Sequence, residues 1–252
     1  MSVAGRHIVV TGGGTGVGRA LALAFAHAGA RVTIMGRREA PLREMAKQHR
    51  EIGYVTCDVT DRASVQAAFT QARGLNGAVT VAVANAGAAD SVPFSRMTPD
   101  HLADMMAVNL GGVVNTWQAA LDGMKADGWG RCIAIASTAG LKGYAYVSAY
   151  AAAKHAVVGL TRSLALELGQ SGVTANAICP GFIETPLLER SVDKIVQKTG
   201  LSADDARASL IAGNPQKRFI QPDEVAGAAL WLCSDAAASV NGHALSLSGG
   251  EI

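Results

Sequence analysis

A glycine-rich turn between a strand and a helix is the feature that most constrains how this chain can fold. The β-branched stretch His7 to Val10 predicts a buried strand that leads directly into TGGGTGVG at positions 11–18. An amphipathic helix is predicted from about Val17 to Ala28, and a second strand from Arg31 to Met35. Strand, glycine turn, helix and strand in this order predict a βαβ unit and a parallel sheet.

The glycines of this turn predict a dinucleotide site. Gly12 permits the tight exit from the strand, Gly16 lets the backbone approach a phosphate, and Gly18 lets the helix pack close to the strand. The helix N-terminus then favours the negative charge of a pyrophosphate. A lone glycine motif could be a plain tight turn, but here the flanking strand and helix are both predicted. The expected cofactor contacts in this turn are Gly12, Gly14, Thr15, Gly16, Val17 and Gly18.

The end of the second strand bears on which dinucleotide is bound. A carboxylate at this point would hold the 2′-hydroxyl of NAD and repel the 2′-phosphate of NADP. The chain has Gly36, Arg37 and Arg38 instead, which leave space and two guanidinium groups for a phosphate. NADP(H) is therefore favoured. NAD(H) remains possible, because two arginines at a helix start could simply be solvated.

The following segment has a carboxylate with two possible roles. A helix is predicted from about Pro41 to Arg50, a short strand over Tyr54 to Cys57, and a helix from Arg62 to Arg73. Asp58 and Val59 follow the strand, where the adenine would lie, and the Asp58 carboxylate could accept the exocyclic amine. It could equally cap the helix that starts after Thr60 or Asp61.

A fourth predicted strand end also faces the cofactor. Val79 to Ala84 is an uninterrupted apolar run typical of a buried parallel strand. It is followed by Asn85, Ala86 and Gly87, whose backbone turns at the carboxyl edge of the sheet. A long helix is then predicted from Pro99 to Asp122, with Asn109 in its apolar middle. A buried amide there implies either a structural hydrogen bond or a bound water on a proton path to Lys154.

A serine, a tyrosine and a lysine in the second half of the chain predict acid–base chemistry. The apolar run from Cys132 to Ala136 predicts a strand that ends at Ser137, and a helix is predicted from Tyr150 to about Gly169. Residues four apart share a helix face, so Lys154 can lie under the Tyr150 phenol. A nearby cation favours the phenolate and lowers the pKa of the tyrosine. The Tyr-xxx-Lys spacing alone is weak evidence, and the surrounding pattern gives it meaning.

The rest of the chain completes one predicted doubly wound α/β domain spanning residues 1–252. A buried strand from Val173 to Cys179 ends at Pro180 and Gly181, and a helix from Pro222 to Cys233 precedes a last strand, His243 to Leu247. About seven parallel strands thus alternate with six helices on both faces of the sheet. Between them, residues 183–218 are more charged and less regular, which predicts two small helices forming a substrate lid with Thr185 near the cofactor.

Composition excludes several other functions. A net charge of +2 gives no electrostatic case for nucleic acid or an anionic membrane. The four cysteines stand singly in apolar surroundings, without metal-ligand spacing, and predict buried thiols in a reducing compartment. The first residues contain too short an apolar run for a signal peptide, and no run approaches a membrane span. We therefore expect a soluble, cytoplasmic protein without a metal.

With these residues in place, nearly the whole chain resembles the short-chain dehydrogenase/reductase family, a family with a Rossmann fold. The motifs that carry the resemblance occur in the family's order and spacing: Thr11-Gly-x-x-x-Gly-x-Gly18, Asn85-Ala-Gly87, Asn109, Ser137, Tyr150-x-x-x-Lys154 and Pro180-Gly181. One departure is Ala84, where the family more often has an asparagine before Asn85. That change affects no expected catalytic role.

The resemblance implies a role for each of these positions. Tyr150 would be the general acid/base, Ser137 would bind the reacting oxygen, and Lys154 would hold the ribose and lower the pKa of Tyr150. Asn109 would anchor a water relay. The nicotinamide end would contact Pro180, Gly181, Ile183 and Thr185, and a homotetramer built partly on the Tyr150 helix is expected.

Stretches such as Cys179-Pro-Gly-Phe182 look most like those of 3-oxoacyl thioester reductases and polyketide ketoreductases. The predicted reaction is therefore NAD(P)(H)-dependent interconversion of a ketone and a secondary alcohol on a thioester or polyketide-like substrate. A catabolic dehydrogenase of a cyclic or aromatic alcohol is the alternative, and a non-catalytic dinucleotide sensor is a second one. The expected pocket is apolar or aromatic, with walls from Val92, Phe94, Tyr144 and Tyr146. Basic residues of the lid alternate with acidic ones, which favours a solvated face over an anion site.

Overall fold

Residues 3–252 form a parallel sheet covered by helices in this computed structural model. Met1 and Ser2, which begin the N-terminal stretch assessed above, lie outside the described residues. Within the described part the sheet has seven strands in the order β3-β2-β1-β4-β5-β6-β7, which confirms the predicted fold class. The strands are β1 (His7–Thr11), β2 (Arg31–Gly36), β3 (Ile52–Thr56), β4 (Val79–Ala84), β5 (Gly130–Ile135), β6 (Val173–Pro180) and β7 (Ala244–Leu247).

The helices cover both faces of this sheet. Most begin and end within a few residues of their predicted bounds. The second helix begins two residues before Pro41, because a proline fits the first turn of a helix, and it ends at Ala46 rather than Arg50. The helices are α1 (Gly16–His27), α2 (Glu39–Ala46), α3 (Arg62–Asn76), α4 (Pro99–Met106), α5 (Gly112–Asp127), α6 (Ser148–Glu167), α7 (Pro186–Thr199), α8 (Ala203–Ile211) and α9 (Pro222–Leu232).

The long helix predicted from Pro99 to Asp122 is divided by a wider turn. Residues Ala107–Gly111 form a π-helical segment between α4 and α5. The Asn109 amide lies in this segment and donates to the Met105 carbonyl oxygen at 3.0 Å. π-helical segments often occur at functional sites, and this one lies behind the carboxyl end of β4.

Alternate residues of each central strand fill two separate cores, as expected for a sheet covered on both faces. Val10 of β1 faces a core that includes Phe25 of α1, whereas its neighbour Val9 faces a core that includes Phe69 of α3 and Trp117 of α5. All five side chains are buried. The sheet is therefore a rigid support for the loops at its carboxyl edge.

The strand order reverses between β1 and β4, and this places the candidate site. β2 and β3 extend from one side of β1, and β4 to β7 extend from the other. In open α/β sheets, ligands bind at the carboxyl ends of the strands where the order reverses. The glycine-rich turn after β1 and the Asn85 turn after β4 meet at this point.

The segment predicted as a lid leaves and rejoins the body at one place. Ile183 pairs with Ile220 as a short parallel bridge, so α7 and α8 form an excursion between these residues. The two helices share a small apolar core of their own, which contains Leu188, Val192 and Ala206. This core lets the excursion keep its shape independently of the sheet.

Candidate functional site

The glycine-rich turn is tied to the end of β4 by hydrogen bonds. The Thr11 hydroxyl oxygen accepts the backbone N–H groups of Asn85 at 3.0 Å and Ala86 at 3.1 Å. The Asn85 side-chain amide donates to the Thr11 carbonyl oxygen at 2.9 Å and to that of Gly12 at 3.3 Å. Asn85 therefore supports the turn with its side chain, a role that the sequence pattern did not indicate.

At two positions of the turn, neighbouring atoms lie too close for any residue larger than glycine. A Cβ atom on Gly18 would lie 2.2 Å from the Gly12 carbonyl oxygen, and one on Gly12 would lie 2.9 Å from the Asn85 amide nitrogen. Gly12 and Gly16 also have positive φ angles of 65° and 54°, which disfavour other residues. Because the turn has few side chains and leads into the N-terminus of α1, its backbone N–H groups are accessible to a pyrophosphate.

The two arginines expected at the adenosine end are exposed after β2. Arg38 precedes α2 in an extended conformation. Arg37 is close enough to contribute to the lowered pKa of Asp58, although hydrogen bonds from Thr60 are the main cause. The two guanidinium groups are thus available to a ligand at the carboxyl end of β2.

Asp58 makes a turn rather than a helix cap. Its Oδ1 atom accepts the Thr60 backbone N–H at 3.0 Å and the Thr60 hydroxyl at 2.8 Å. Asp61 is the residue that caps α3, by accepting the Ala63 N–H at 2.9 Å. Val59 is buried between them, and its carbonyl oxygen accepts the Asn115 amide at 2.9 Å. The capping alternative for Asp58 is therefore wrong, and its adenine contact stays a prediction.

Tyr150 and Lys154 lie one turn apart on α6, next to the end of β5. The Lys154 ammonium nitrogen is 5.6 Å from the centre of the Tyr150 ring, and it donates to the Ile135 carbonyl oxygen at 2.8 Å. The Ser137 hydroxyl forms a hydrogen bond with the Tyr150 phenol. Ser137 also caps a short 3-10 turn by accepting the Ala139 N–H at 3.1 Å, which fixes its side chain. A serine, a phenol and an ammonium group thus converge at one point.

Burial, rather than the neighbouring cation, sets the protonation of this pair. Burial raises the pKa of Tyr150, and the hydrogen bond from Ser137 opposes this only in part. Burial also lowers the pKa of Lys154 to about 8. The sequence predicted a lowered pKa for Tyr150, and the net direction in the structure is the opposite. The phenol is therefore protonated, and able to donate, at neutral pH.

Asn109 is fully buried and holds the loop after β4 in place. Its amide donates to the Ala88 carbonyl oxygen at 2.9 Å, and its Oδ1 atom accepts the Ala88 N–H at 3.3 Å. A Cβ atom on Gly87 would lie 2.8 Å from Asn109 Oδ1 and 3.7 Å from the Lys154 nitrogen. The structural hydrogen bond considered for Asn109 is present, and Gly87 allows Asn109 and Lys154 to approach the same point.

The start of the lid faces the glycine-rich turn. The Gly181 N–H donates to the Leu247 carbonyl oxygen at 3.0 Å, which holds the chain where it leaves β6 beside Pro180. Thr185 precedes α7, and its side chain would lie 3.5 Å from a Cβ atom on Gly16. Ile183, between them, is partly buried against the core that contains α1. These residues form the second wall of the cleft above β1 and β4.

The two segments expected to form the substrate pocket are joined by a hydrogen bond. The Val92 N–H donates to the Tyr146 carbonyl oxygen at 2.8 Å. Phe94 is 74% exposed and Tyr146 is 63% exposed, so neither ring is buried in the interior of a pocket. Tyr144 lies deeper, with its ring edge against Phe182 at 6.2 Å between centroids.

Glu251 is a further residue of this wall that the sequence did not reveal. Its carboxylate accepts hydrogen bonds from the Tyr144 hydroxyl at 2.8 Å and from the Lys142 ammonium group at 2.8 Å. The Tyr144 hydroxyl also lies 2.7 Å from that of Thr138. An acidic residue after two glycines near the end of a chain has no distinctive pattern, so only the folded structure places it here.

Residues 3–252 contain no group of three or more histidine, cysteine or acidic side chains that could hold a metal ion. The four cysteines are buried as free thiols. In the same described part of the chain, no helix combines the length and apolar character needed to cross a membrane.

Comparison with known proteins agrees with this geometry. A model of the short chain dehydrogenase family matches residues 6–195. The chain is 37% identical to the D-beta-hydroxybutyrate dehydrogenase of Cupriavidus necator, with 98% of each chain covered. It is 34% identical to a 3-oxoacyl-[acyl-carrier-protein] reductase of Mycobacterium bovis, covering 97% of this chain and 92% of the relative. A crystal structure of actinorhodin polyketide ketoreductase with NADPH superposes with a TM-score of 0.94 at 33% identity, covering 98% of this chain and 97% of the other.

Proposed function

The chain belongs to the short-chain dehydrogenase/reductase family and is an oxidoreductase, and from this premise we propose that it is an NADP(H)-dependent ketoreductase. Its substrate is a 3-oxoacyl thioester or a polyketide-like ketone, which it converts reversibly to the secondary alcohol. One observation carries the proposal. Ser137, Tyr150 and Lys154 converge at the carboxyl end of β5, beside the glycine-rich turn.

The residues around the turn fit a nicotinamide dinucleotide, which supplies the hydride when bound. Residues 12–18 would hold the pyrophosphate, Asp58 and Val59 would contact the adenine, and residues 85–87 would line the floor of the cleft. Arg37 and Arg38 provide the positive charge that a 2′-phosphate requires, which supports NADP(H) over NAD(H). Pro180, Gly181, Ile183 and Thr185 would contact the nicotinamide end.

Tyr150 is the proton donor of the proposed mechanism. Its raised pKa keeps the phenol protonated in the free enzyme. The phenol then donates its proton to the carbonyl oxygen, held by Ser137, as negative charge develops on that oxygen. The buried Lys154 ammonium lies beside the ring and stabilises the phenolate that forms when Tyr150 gives up this proton. Lys154 then passes a proton to the Tyr150 phenolate, and a water on the path past Asn109, which holds the Ala88 backbone, returns a proton to Lys154.

The walls of the cleft support a large, weakly polar substrate. Phe94 and Tyr146 provide exposed aromatic surface at the rim, and Val92 and Tyr144 extend the wall inward. The segment 183–218 acts as the lid over this cleft. The names of the reductase relatives, which act on a 3-oxoacyl carrier-protein ester or a polyketide, agree with such a substrate.

A second candidate is oxidation of a small hydroxy acid. It is supported by the D-beta-hydroxybutyrate dehydrogenase relative, which is 37% identical with 98% of each chain covered. The same Ser137, Tyr150 and Lys154 would then act in the opposite direction. A sensor without turnover has no supporting observation, because all the reactive groups are in place.

The protein is proposed to be a cytoplasmic homotetramer. Leu166 is 86% exposed on α6, which provides apolar surface for a second copy beside the Tyr150 helix. The four free thiols fit a reducing compartment. Light scattering and analytical ultracentrifugation test the assembly directly.

Nicotinamide absorbance tests the proposal with 3-oxoacyl thioesters, cyclic ketones and aryl ketones, each with NADPH and NADH. Tyr150→Phe should keep NADPH binding and lose turnover by roughly 10²- to 10⁴-fold, because the proton donor is removed. Tyr54→Phe is the matched control, since it removes a hydroxyl that bonds Glu39, and Tyr54 lies on β3, the edge strand four strands away from β5. Substantial turnover by Tyr150→Phe, or none by the unmodified protein on any ketone, would contradict the proposal.

A further inference from the structure

The carboxylate of Glu251 is an interior charge at the substrate wall. Its side chain is 7% exposed, whereas that of its partner Lys142 is 38% exposed. Oε1 accepts both the Lys142 ammonium group and the Tyr144 hydroxyl. Among residues 3–252 no hydrogen-bond donor contacts Oε2, which points toward Gly181, 3.6 Å from where a Cβ atom of that glycine would lie. One carboxylate oxygen is thus held by two partners, and the other lies beside Gly181, a residue expected at the nicotinamide end.

A short chain of hydrogen bonds connects Glu251 to the reacting centre. The Tyr144 hydroxyl donates to Glu251 and lies 2.7 Å from the Thr138 hydroxyl, and Thr138 directly follows Ser137. Burial is the main cause of the raised pKa of Tyr144, and the hydrogen bond to the Glu251 carboxylate raises it further. A substrate group near Tyr144 would therefore meet the field of the carboxylate.

We propose that Glu251 is a specificity-determining residue that makes the site select neutral ketones, such as esters and thioesters, over keto acids. Two effects act in the same direction. The buried carboxylate repels a substrate carboxylate with little screening, and it occupies the Lys142 ammonium group that could otherwise bind that anion. The proposal rests on the ketoreductase function, and within that function it favours the thioester over the hydroxy-acid candidate.

Acetoacetate and its ethyl ester test this proposal, because they share the reacting ketone and differ in the carboxylate charge. The measured quantity is the ratio of kcat/KM for the acid to kcat/KM for the ester, at saturating NADPH. Glu251→Gln keeps the shape of the side chain and should raise this ratio about tenfold through a lower KM for the acid. Lys142→Met leaves the carboxylate without its cation and should lower the ratio.

Glu51→Gln is the matched control, because it removes an ion-paired carboxylate at the amino end of β3, away from the site. It should leave the ratio unchanged. If Glu251 had only a structural role, its substitution would change kcat/KM for the acid and the ester equally. A ratio that rises in Glu251→Gln and falls in Lys142→Met excludes that role. An unchanged ratio in Glu251→Gln overturns the inference while the ketoreductase function stands. No turnover of any ketone by the unmodified protein overturns both.

Discussion

Lys194 on α7 and Asp90 in the loop after β4 are joined by an ion pair with 2.6 Å between nitrogen and oxygen. β5 lies between β4 and β6 in the sheet, so this pair spans the strand that Ser137 follows. The lysine side chain is 51% exposed and the aspartate 40% exposed, so the pair contributes little to stability. The pair joins the proposed lid segment to the loop after β4.

Breaking this contact should loosen the lid with only a small effect on the chemical step. Asp90→Asn is expected to raise the KM of a ketone roughly two- to fivefold, since an exposed pair is worth at most about 1 kcal/mol. Steady-state kinetics at low and high salt measure the effect, which should vanish at high salt. Asp193→Asn is the control, because it removes a charge from α7, the helix of Lys194, and breaks no ion pair described within residues 3–252. An equal effect of both substitutions would contradict the lid contact.

The arginines after β2 should determine the cofactor preference. Replacing both Arg37 and Arg38 with alanine removes the groups proposed to bind the 2′-phosphate. We expect the KM for NADPH to rise about tenfold or more, while the KM for NADH changes little. Arg50→Ala, which removes another exposed arginine, serves as the control. An equal rise in the KM for NADPH and for NADH would show that Arg37 and Arg38 do not recognise this phosphate.

Two helical glycines should respond to alanine in opposite ways. A Cβ atom on Gly18 would clash with the Gly12 carbonyl oxygen at 2.2 Å, whereas one on Gly74 in α3 meets open space. Gly18→Ala should destabilise the protein by about 1–3 kcal/mol and weaken NADPH binding. Gly74→Ala should stabilise it by up to about 1 kcal/mol, because alanine favours a helix. Urea unfolding measures both changes, and equal effects would refute the close packing at Gly18.

The buried lysine should make stability depend on pH. Burial lowers the pKa of Lys154 to about 8, so the unfolded chain binds a proton more tightly than the native one. Native stability contributed by this group therefore rises as pH increases from about 8 toward 10.4, the ordinary lysine value. Below pH 8 the buried ammonium costs about 3 kcal/mol at most.

Lys154→Met removes this cost, so the variant should be more stable than the unmodified protein at pH 7. The advantage should shrink as pH rises to 9.5. Urea unfolding at each pH measures the difference, and Lys47→Met, at an exposed lysine, should show no such trend. An advantage that is constant with pH would mean that Lys154 does not titrate differently in the native state.

Much of the fold follows from short-range patterns. Largely apolar runs predicted strands correctly, as at Val79–Ala84, where Thr80 is the one polar residue, because a strand covered on both faces needs mostly apolar residues. The glycine spacing identified the turn after β1, because a positive φ and a close approach both require glycine. The π-helical segment at Asn109 was not predicted, because its extra residue depends on the loop to which Asn109 bonds.

The sequence predicted the position of Lys154 relative to Tyr150, but not the direction in which the pKa of Tyr150 shifts. The four-residue spacing correctly placed Lys154 beside the ring, since spacing fixes neighbours on a helix. It did not reveal that burial would raise the pKa of the phenol, because burial depends on elements that pack around α6 from elsewhere in the chain.

The sequence by itself determined the order of strands and helices, the glycine turn and the serine, tyrosine and lysine at the carboxyl edge. These depend on local conformation and helical spacing. The tertiary structure alone decided that Glu251 bonds Tyr144, 107 residues away, and that Lys194 pairs with Asp90, 104 residues away. Such contacts join residues with no periodic relation in the chain, so they exist only once the sheet has brought its loops to one edge.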